Sequence, residues 1–512
     1  MFLHNRIVPA HVVLALLALP QLASAQRLLS SYTAPTGFQI RTLRPAGDTN
    51  GDGEVDFVVM LQQSLPTIVV QVVIASGETG QPLHTLPQNG LQNEIDAIGI
   101  GDVNGDGRSD VLLVANTLLR VFSGQTGQVI ASLPGADYRS AAAIGDFDGN
   151  GIADVVVATY SGAAGGCTLS VLRGNNLSTL PGLPAQTIAN GDVRVRAVGD
   201  LTGDGRSEVA CCAENSGPVQ VRNVFTGAVQ WSFDPPGTDV GRLIETLDLD
   251  GDGKHEVFYF RPNVTGPGTQ GQLSVFQPTN GALRFQRTSP TGSSMGTTIA
   301  GLGDLDQDGT QEFALVRTTN GVTRIDCESG TGLFRRWSLP NWPGAIGVGG
   351  VAAIGDVDDD GAGDLAVQRF GAASDGWSVI SGRILAESQP QGSGCGVGPF
   401  FPQLGASRPI LGQTFTIAGQ FAPANASGVL VWSLQPAGPV WLGASTCFAW
   451  FDLAGGFVLG APSTPSWSTT VPLPLVPQLA GFDIALQAFW APTAGPLGYD
   501  LSNGVWARLG YQ

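Results

Sequence analysis

The sequence predicts an all-β chain: a seven-bladed β-propeller followed by a small β-sandwich-like C-terminal domain. Three observations carry that expectation. A nine-residue acidic loop recurs seven times, with start-to-start spacings of 54, 44, 54, 48, 56 and 52 residues, and a period near fifty with one loop in constant register marks a solenoid or a propeller. Short apolar runs enter and leave each loop, as buried strands do. Glycine supplies 72 of 512 residues and lysine and glutamate are scarce, a composition that favours turns and short strands over helix.

Ahead of the first repeat, Arg6 precedes the apolar run Val12–Leu19, and Ala23-Ser24-Ala25 precedes Gln26. This is the three-part pattern of a signal peptide. Residues 1–25 are therefore expected to be removed near Ala25–Gln26, leaving a secreted, extracellular or cell-surface chain. The apolar run stops at Pro20, short of the roughly 20 residues that span a bilayer. No later segment is long enough either, so no transmembrane segment is expected in the mature chain. The formal charge is −17 and becomes −18 once Arg6 is removed. Such acidity, without a basic cluster, argues against nucleic acid or anionic membranes as partners.

Each repeat reads as four strands. Apolar stretches such as AAAIG (141–145) and VAAIG (351–355) lead into the acidic loop, and FVVM (57–60), VLLV (111–114), VVVA (155–158) and VFYF (257–260) lead out. A second turn follows some 25 to 33 residues into most repeats: SGETG at 76–80, SGQTG at 123–127, FTG at 225–227, TNG at 279–281 and a related turn near 329–332. Four short antiparallel strands in about fifty residues make one propeller blade, so seven loops imply seven blades. Two segments compete to close the ring as the outer strand of the last blade, Arg27–Ala34 and Gly382–Ser388.

The loops are DTNGDGEVD, DVNGDGRSD, DFDGNGIAD, DLTGDGRSE, DLDGDGKHE, DLDQDGTQE and DVDDDGAGD. Positions 1, 3, 5 and 9 carry side-chain oxygen in all of them. The candidate metal ligands are Asp48, Asn50, Asp52 and Asp56; Asp102, Asn104, Asp106 and Asp110; Asp146, Asp148, Asn150 and Asp154; Asp200, Thr202, Asp204 and Glu208; Asp248, Asp250, Asp252 and Glu256; Asp304, Asp306, Asp308 and Glu312; and Asp356, Asp358, Asp360 and Asp364. Position 6 is always glycine. Calcium takes six to eight oxygens in flexible geometry, and alternating side chains on a tightly turning chain supply them. An EF-hand has a similar register but requires a bidentate Glu at position 12 on a helix. Here position 12 is Val59, Leu113, Val157, Cys211, Tyr259, Leu315 or Val367, apolar and within a predicted strand, so the loop joins strand to strand. Asp, Asn and Gly are common turn formers, but plain acidic turns would scatter their acids. These four positions instead hold 24 of the chain's 42, a crowding that repels itself without a cation. Up to seven Ca²⁺ ions are expected, and seven would bring the mature charge from −18 to −4. Thr202 makes the fourth loop the weakest.

The pattern GD-x-[ND]-x-DG-x-x-[DE], with its flanking strands over about residues 27–388, resembles the FG-GAP and VCBS-type repeats of the integrin α-subunit head. Gly precedes the first Asp in six loops, Leu247 being the exception. The resemblance implies a calcium ion in every loop on one face of the ring, with the other face free for ligands. It also implies a binding or adhesion role toward an extracellular protein or polysaccharide in a secreted bacterial protein.

Residues 26–388 are thus expected to form the propeller and 389–512 the C-terminal domain, with QPQGSG as the linker. The latter segment contains five charged residues but six of the ten tryptophans. Those rings read as core of a sparsely charged β-sandwich, or as a face that stacks on sugar. Of the six cysteines, Cys395 with Cys447, and Cys167 with Cys211 or Cys212, are the favoured disulfides.

Catalysis is not expected. Beyond residue 25 only His84 and His255 remain, the latter expected to be solvated, and Lys254 is the single lysine, which disfavours His-dependent triads and multi-histidine zinc sites. The alternative is a calcium-assisted polysaccharide lyase or another carbohydrate-active enzyme using carboxylates.

Overall fold

The computed structural model describes residues 27–511 apart from short stretches, the longest being 88–93, 236–242, 262–270 and 340–346. The expected signal peptide lies outside the described residues. The chain divides into two compact units, Gln26–Arg383 and Ile384–Gln512. Apart from one short 3-10 turn at Pro477–Leu479, every named element is a strand.

Among the described residues the first unit contains seven four-stranded antiparallel sheets. The first blade shows the plan: β2 (Gln39–Gly47) lies innermost, followed by β3 (Asp56–Gln63), β4 (Val69–Ala75) and β5 (Pro82–Leu86) in sequence order. Burial explains the apolar runs: Asp110–Ala115, Glu208–Ala213 and Glu256–Arg261, the second strands of their blades, are buried along their whole length. Outermost strands such as Val129–Pro134 alternate between exposed and half-buried positions. The seven innermost strands each contact the next, and Gly347–Gly355 of the last blade returns to β2. The ring is closed on itself, which leaves the blades only short, protected edges.

Each innermost strand runs into its acidic loop, so all seven loops lie on one face and the innermost strands begin on the other. In six blades a bulge at the glycine before the loop bends the strand. These glycines adopt φ between 70° and 83°, left-handed backbone that favours glycine. The blade with Leu247 at that place has no bulge there, and Leu247 pairs directly with Glu256.

Closure is made by the N-terminal segment. β1 (Leu28–Thr33) pairs with Gly376–Ile380 as the outermost strand of the last blade. The competing segment near residue 388 belongs to the other unit: Glu387–Gln391 pairs with Gly504–Arg508, so the first half of QPQGSG is strand rather than linker. Trp377 fixes the seam. It is fully buried, stacks on Tyr32 at 4.4 Å and meets Phe57 of the first blade edge-on at 6.1 Å. Its indole N–H donates to the Gly80 carbonyl at 2.7 Å.

In the second unit, a sheet in the order Glu387–Gln391, Gly504–Arg508, Asp483–Ala491, Ser427–Ser433, Gly456–Ala461 accompanies smaller three- and two-stranded sheets. Trp450, Trp467 and Trp490 are buried, while Trp441 is 62% exposed. Cys395 and Cys447 form a disulfide. The second favoured bridge does not form: Cys167, Cys211, Cys212 and Cys327 are buried and not joined in disulfides.

Because Trp377 joins the first strand, the last blade and the first blade, Trp377→Ala should lower unfolding free energy by about 3–5 kcal/mol. Urea unfolding followed by circular dichroism measures this. A loss below about 1 kcal/mol would show that the seam does not limit stability.

Candidate metal centres

The seven loops share one hydrogen-bonding scheme, set by the numbered positions. The position-1 carboxylate accepts from the N–H of the position-6 glycine at 2.7–3.2 Å in every loop. The position-5 side chain accepts from the position-7 amide at 2.8–3.0 Å in every loop. Position 4 is left-handed throughout. It is glycine in five loops, but Gln307 (φ 58°) and Asp359 (φ 55°) hold the same conformation in the last two. That backbone is sparsely populated for residues with a Cβ, at a cost of roughly 1–3 kcal/mol each, and the loop geometry is kept regardless.

Position 9 behaves differently from the other three. Asp56, Asp110, Asp154, Glu208, Glu256, Glu312 and Asp364 are all buried at the start of the second strand. Each accepts from the position-2 amide at 2.7–3.0 Å. Asp56, Asp110 and Asp364 accept in addition from Gly77, Gly124 and Gly382 in the second turn of their blades, and Glu208 accepts from the Asn223 side chain at 2.6 Å. In these four blades position 9 therefore ties two turns together.

Carboxylate oxygens converge to within 4.8 Å of one another in four loops. Three of these clusters consist of positions 1, 3 and 5: Asp248, Asp250 and Asp252; Asp304, Asp306 and Asp308; Asp356, Asp358 and Asp360. The fourth joins Asp146, Asp148 and Asp154. In the other three loops an amide or hydroxyl occupies position 3. Asn50 and Asn104 donate to Asp52 and Asp106 at 2.7 and 2.9 Å, and Thr202 donates to Glu208 at 3.2 Å. Asp148 Oδ1 and Asp358 Oδ1 are buried without a hydrogen-bond partner, an uncommon condition for a carboxylate. Carboxylate-only donors at flexible spacing suit a hard divalent cation.

Arginines also reach these loops, a feature the repeat pattern did not reveal. Arg173 pairs with Asp148 at 2.9 Å, Arg27 with Asp358 at 3.2 Å, and Arg284 with Asp250 at 2.9 Å and buried Glu256 at 2.6 Å. They come from three different places in the blade plan, so no periodic signal announces them. His255 is half-buried rather than solvated: burial lowers its pKa, and its backbone N–H donates to Val198 of the preceding blade at 3.0 Å.

Burial raises the pKa of the position-9 acid in all seven loops. Asp110 is pushed up to about 6 by burial, against the Val103 and Gly124 amides. Asp364 reaches about 7 through burial, with Asp358 and Asp360 adding. Glu312 reaches about 8 through burial, with Asp308 and Asp304 adding.

Residues 102–157 and 248–315 match the family model of the FG-GAP-like repeat. Integrin alpha-V of Gallus gallus is 29% identical over 203 residues, covering 34% of this chain and 20% of the relative. The match thus spans about a fifth of that relative's length. Similar solved structures include BBS1N in complex with ARL6DN, soaked with lead, at a TM-score of 0.44 and 10% identity, covering 70% of this chain and 96% of that one. The C-terminal WD40 domain of Sif2 has a TM-score of 0.41 and 11% identity, over 70% and 99% of the two chains. Saccharomyces cerevisiae Sqt1 has a TM-score of 0.41 and 11% identity, over 77% and 96%. Two stretches of the ring match the FG-GAP-like repeat, and the chain's own strand pairing makes the ring a β-propeller.

With no metal bound, folding takes up protons at position 9, because the unfolded acids titrate near 4 and the folded ones as high as about 8. The metal-free protein should therefore lose stability as pH rises from about 4 toward 8. Glu312→Gln should flatten the upper part of that slope. Melting in chelator across this range tests both, and a metal-free protein that gains stability over the same interval would contradict the burial argument.

Proposed function

We propose that this FG-GAP propeller is a secreted or cell-surface calcium-binding module that presents a rigid ring to an extracellular protein or glycan. The supporting observation is the convergence of carboxylates from fixed loop positions into clusters on one face, two of which contain a buried oxygen lacking any hydrogen-bond partner. Positions 1, 3 and 5 would hold the ion in three clusters, as with Asp304, Asp306 and Asp308, and positions 1, 3 and 9 in the fourth, Asp146, Asp148 and Asp154. Bound calcium would supply the positive charge that these crowded acids lack. Position 9 fixes the loop from behind, through its bond to the position-2 amide.

The likeness to an integrin alpha subunit supports binding or adhesion as the role. No helix among the described residues is long and apolar enough to cross a membrane. A role outside the cell also suits the chemistry, because extracellular calcium sites typically bind at ~10⁻⁴–10⁻³ M.

The loops should differ in strength. Arg284 already neutralises Asp250 and Glu256, so the loop that begins at Asp248 should be the poorest of the four clusters for calcium, despite its four acids. Elemental analysis of protein dialysed against millimolar calcium should give between four and seven ions per chain. Asp306→Ala with Asp308→Ala should remove one ion and leave the other blades folded, whereas Arg284→Gln should tighten binding in its own loop. Fewer than four ions, or a melting temperature that chelator leaves unchanged, would sink the proposal.

A further inference from the structure

The channel encircled by the seven blades opens into a cavity of about 390 Å³ at the face where the innermost strands begin, across the ring from the acidic loops. Its size falls in the ~300–1,000 Å³ range of small-molecule sites. Its charge is the reverse of the chain's. The protein has 42 acids against 25 bases, yet the cavity is lined by four arginines, Arg41, Arg44, Arg194 and Arg196, and by two acids, Asp96 and Glu245.

Both acids are engaged by the inner arginines. Glu245 is buried and receives Arg44 at 2.7 Å and both Nε and a terminal nitrogen of Arg196 at 2.7 and 3.0 Å. Burial alone would raise its pKa, but the two guanidinium groups hold it at about 2. Arg44 also faces Asp96 at 3.6 Å. These contacts fix the planes of Arg44 and Arg196, while the lining among the described residues keeps two more guanidinium groups than carboxylates.

The backbone is shaped to the same place. β2 has a bulge between Ile40 and Thr42, which leaves Arg41 out of the pairing register. The innermost strands of the last two blades break register at 296–298 and 349–350, and Gly296, Thr298, Gly349 and Gly350 line the cavity. Bulges recur where a strand re-aims side chains toward a site. The glycines leave room there, since a Cβ on Gly349 would lie 2.5 Å from the Gln368 side chain.

We propose that this channel mouth binds a small oxyanion ligand bearing carboxylate or sulfate groups. Planar guanidinium groups engage such oxyanions in bidentate fashion, and Thr298 adds a neutral hydroxyl. The inference rests on the binding-module reading and gives it a ligand chemistry. Two sources offer that chemistry: the acidic sugar units of a polysaccharide, and free small anions.

Isothermal titration of the calcium-loaded full chain at low ionic strength, with digalacturonate and separately with inorganic sulfate, tests the proposal. One saturable site is expected, weakened at least tenfold in Arg41→Ala/Arg194→Ala while the calcium count and melting temperature are retained. Should the double variant not fold, Arg41→Glu at its exposed position serves instead. Binding of digalacturonate but not sulfate assigns the acidic-sugar source, and sulfate alone assigns the free anion. No binding of either probe, or binding unchanged by the arginine substitutions, overturns the proposal. So does binding lost in Asp306→Ala/Asp308→Ala but retained in the arginine variant, since that would be calcium bridging at the other face. Calcium counts on the same samples separate failure of this site from failure of the calcium reading.

Discussion

One buried carboxylate organises each blade. At position 9 the acid is removed from water at the start of the second strand, where an ionised group is costly unless its lone pairs are engaged. The position-2 amide engages one oxygen in all seven loops. In three blades a glycine amide of the second turn engages the other. The loop conformation, the aim of positions 1, 3 and 5, and the spacing of the two turns all follow from that acceptor. Its raised pKa is the electrostatic cost of the arrangement, and nearby carboxylates add to that cost in Glu312 and Asp364.

Because each blade is stapled by its own acid, the ring needs a separate device where the chain's ends meet. β1 provides strand pairing and Trp377 provides packing. Asp375 accepts from the Ile40 amide at 2.9 Å, while its own amide donates to the Phe38 carbonyl at 3.0 Å. Arg27 reaches from the closing segment to Asp358 in the last acidic loop. The last loop is thereby coupled to closure through Arg27.

Periodic features were legible in the sequence and solitary ones were not. Seven loops in constant register announced the blades, and Leu247 stands in place of glycine where the innermost strand enters its loop without a bulge. The EF-hand reading was excluded by apolar residues at position 12, which do lie in strands. In contrast, the choice of β1 over Gly382–Ser388 depends on pairing partners hundreds of residues away, which local pattern cannot supply. Cys167 was paired on paper with a neighbour in sequence order, yet it is buried in strand and remains a thiol. Arg173, Arg284 and Arg27 neutralise acids from three unrelated positions. Position 9 looked equivalent to the other acids because composition does not encode burial. The channel arginines were invisible for the same reason: only the closed ring brings β2 and Val193–Gly199 to one cavity.

The separation of charge between the two faces follows from the topology. Every innermost strand runs in the same direction, so whatever residue type repeats at its end is multiplied sevenfold on one face, and that residue type is acidic. The opposite end carries no such repeat, and its lining is set blade by blade. Arginine there comes from two blades only, steadied by Glu245 from a third. Anionic polymers would be repelled by the acidic face unless cations filled it, and even Arg44 and Arg196 stand four strand residues before Asp48 and Asp200, about 13 Å at ~3.3 Å per residue, beyond the roughly 8–10 Å over which salt screens charge at physiological strength. A ring built this way keeps cation-binding chemistry and anion-binding chemistry from cancelling each other, because several residues of innermost strand stand between them.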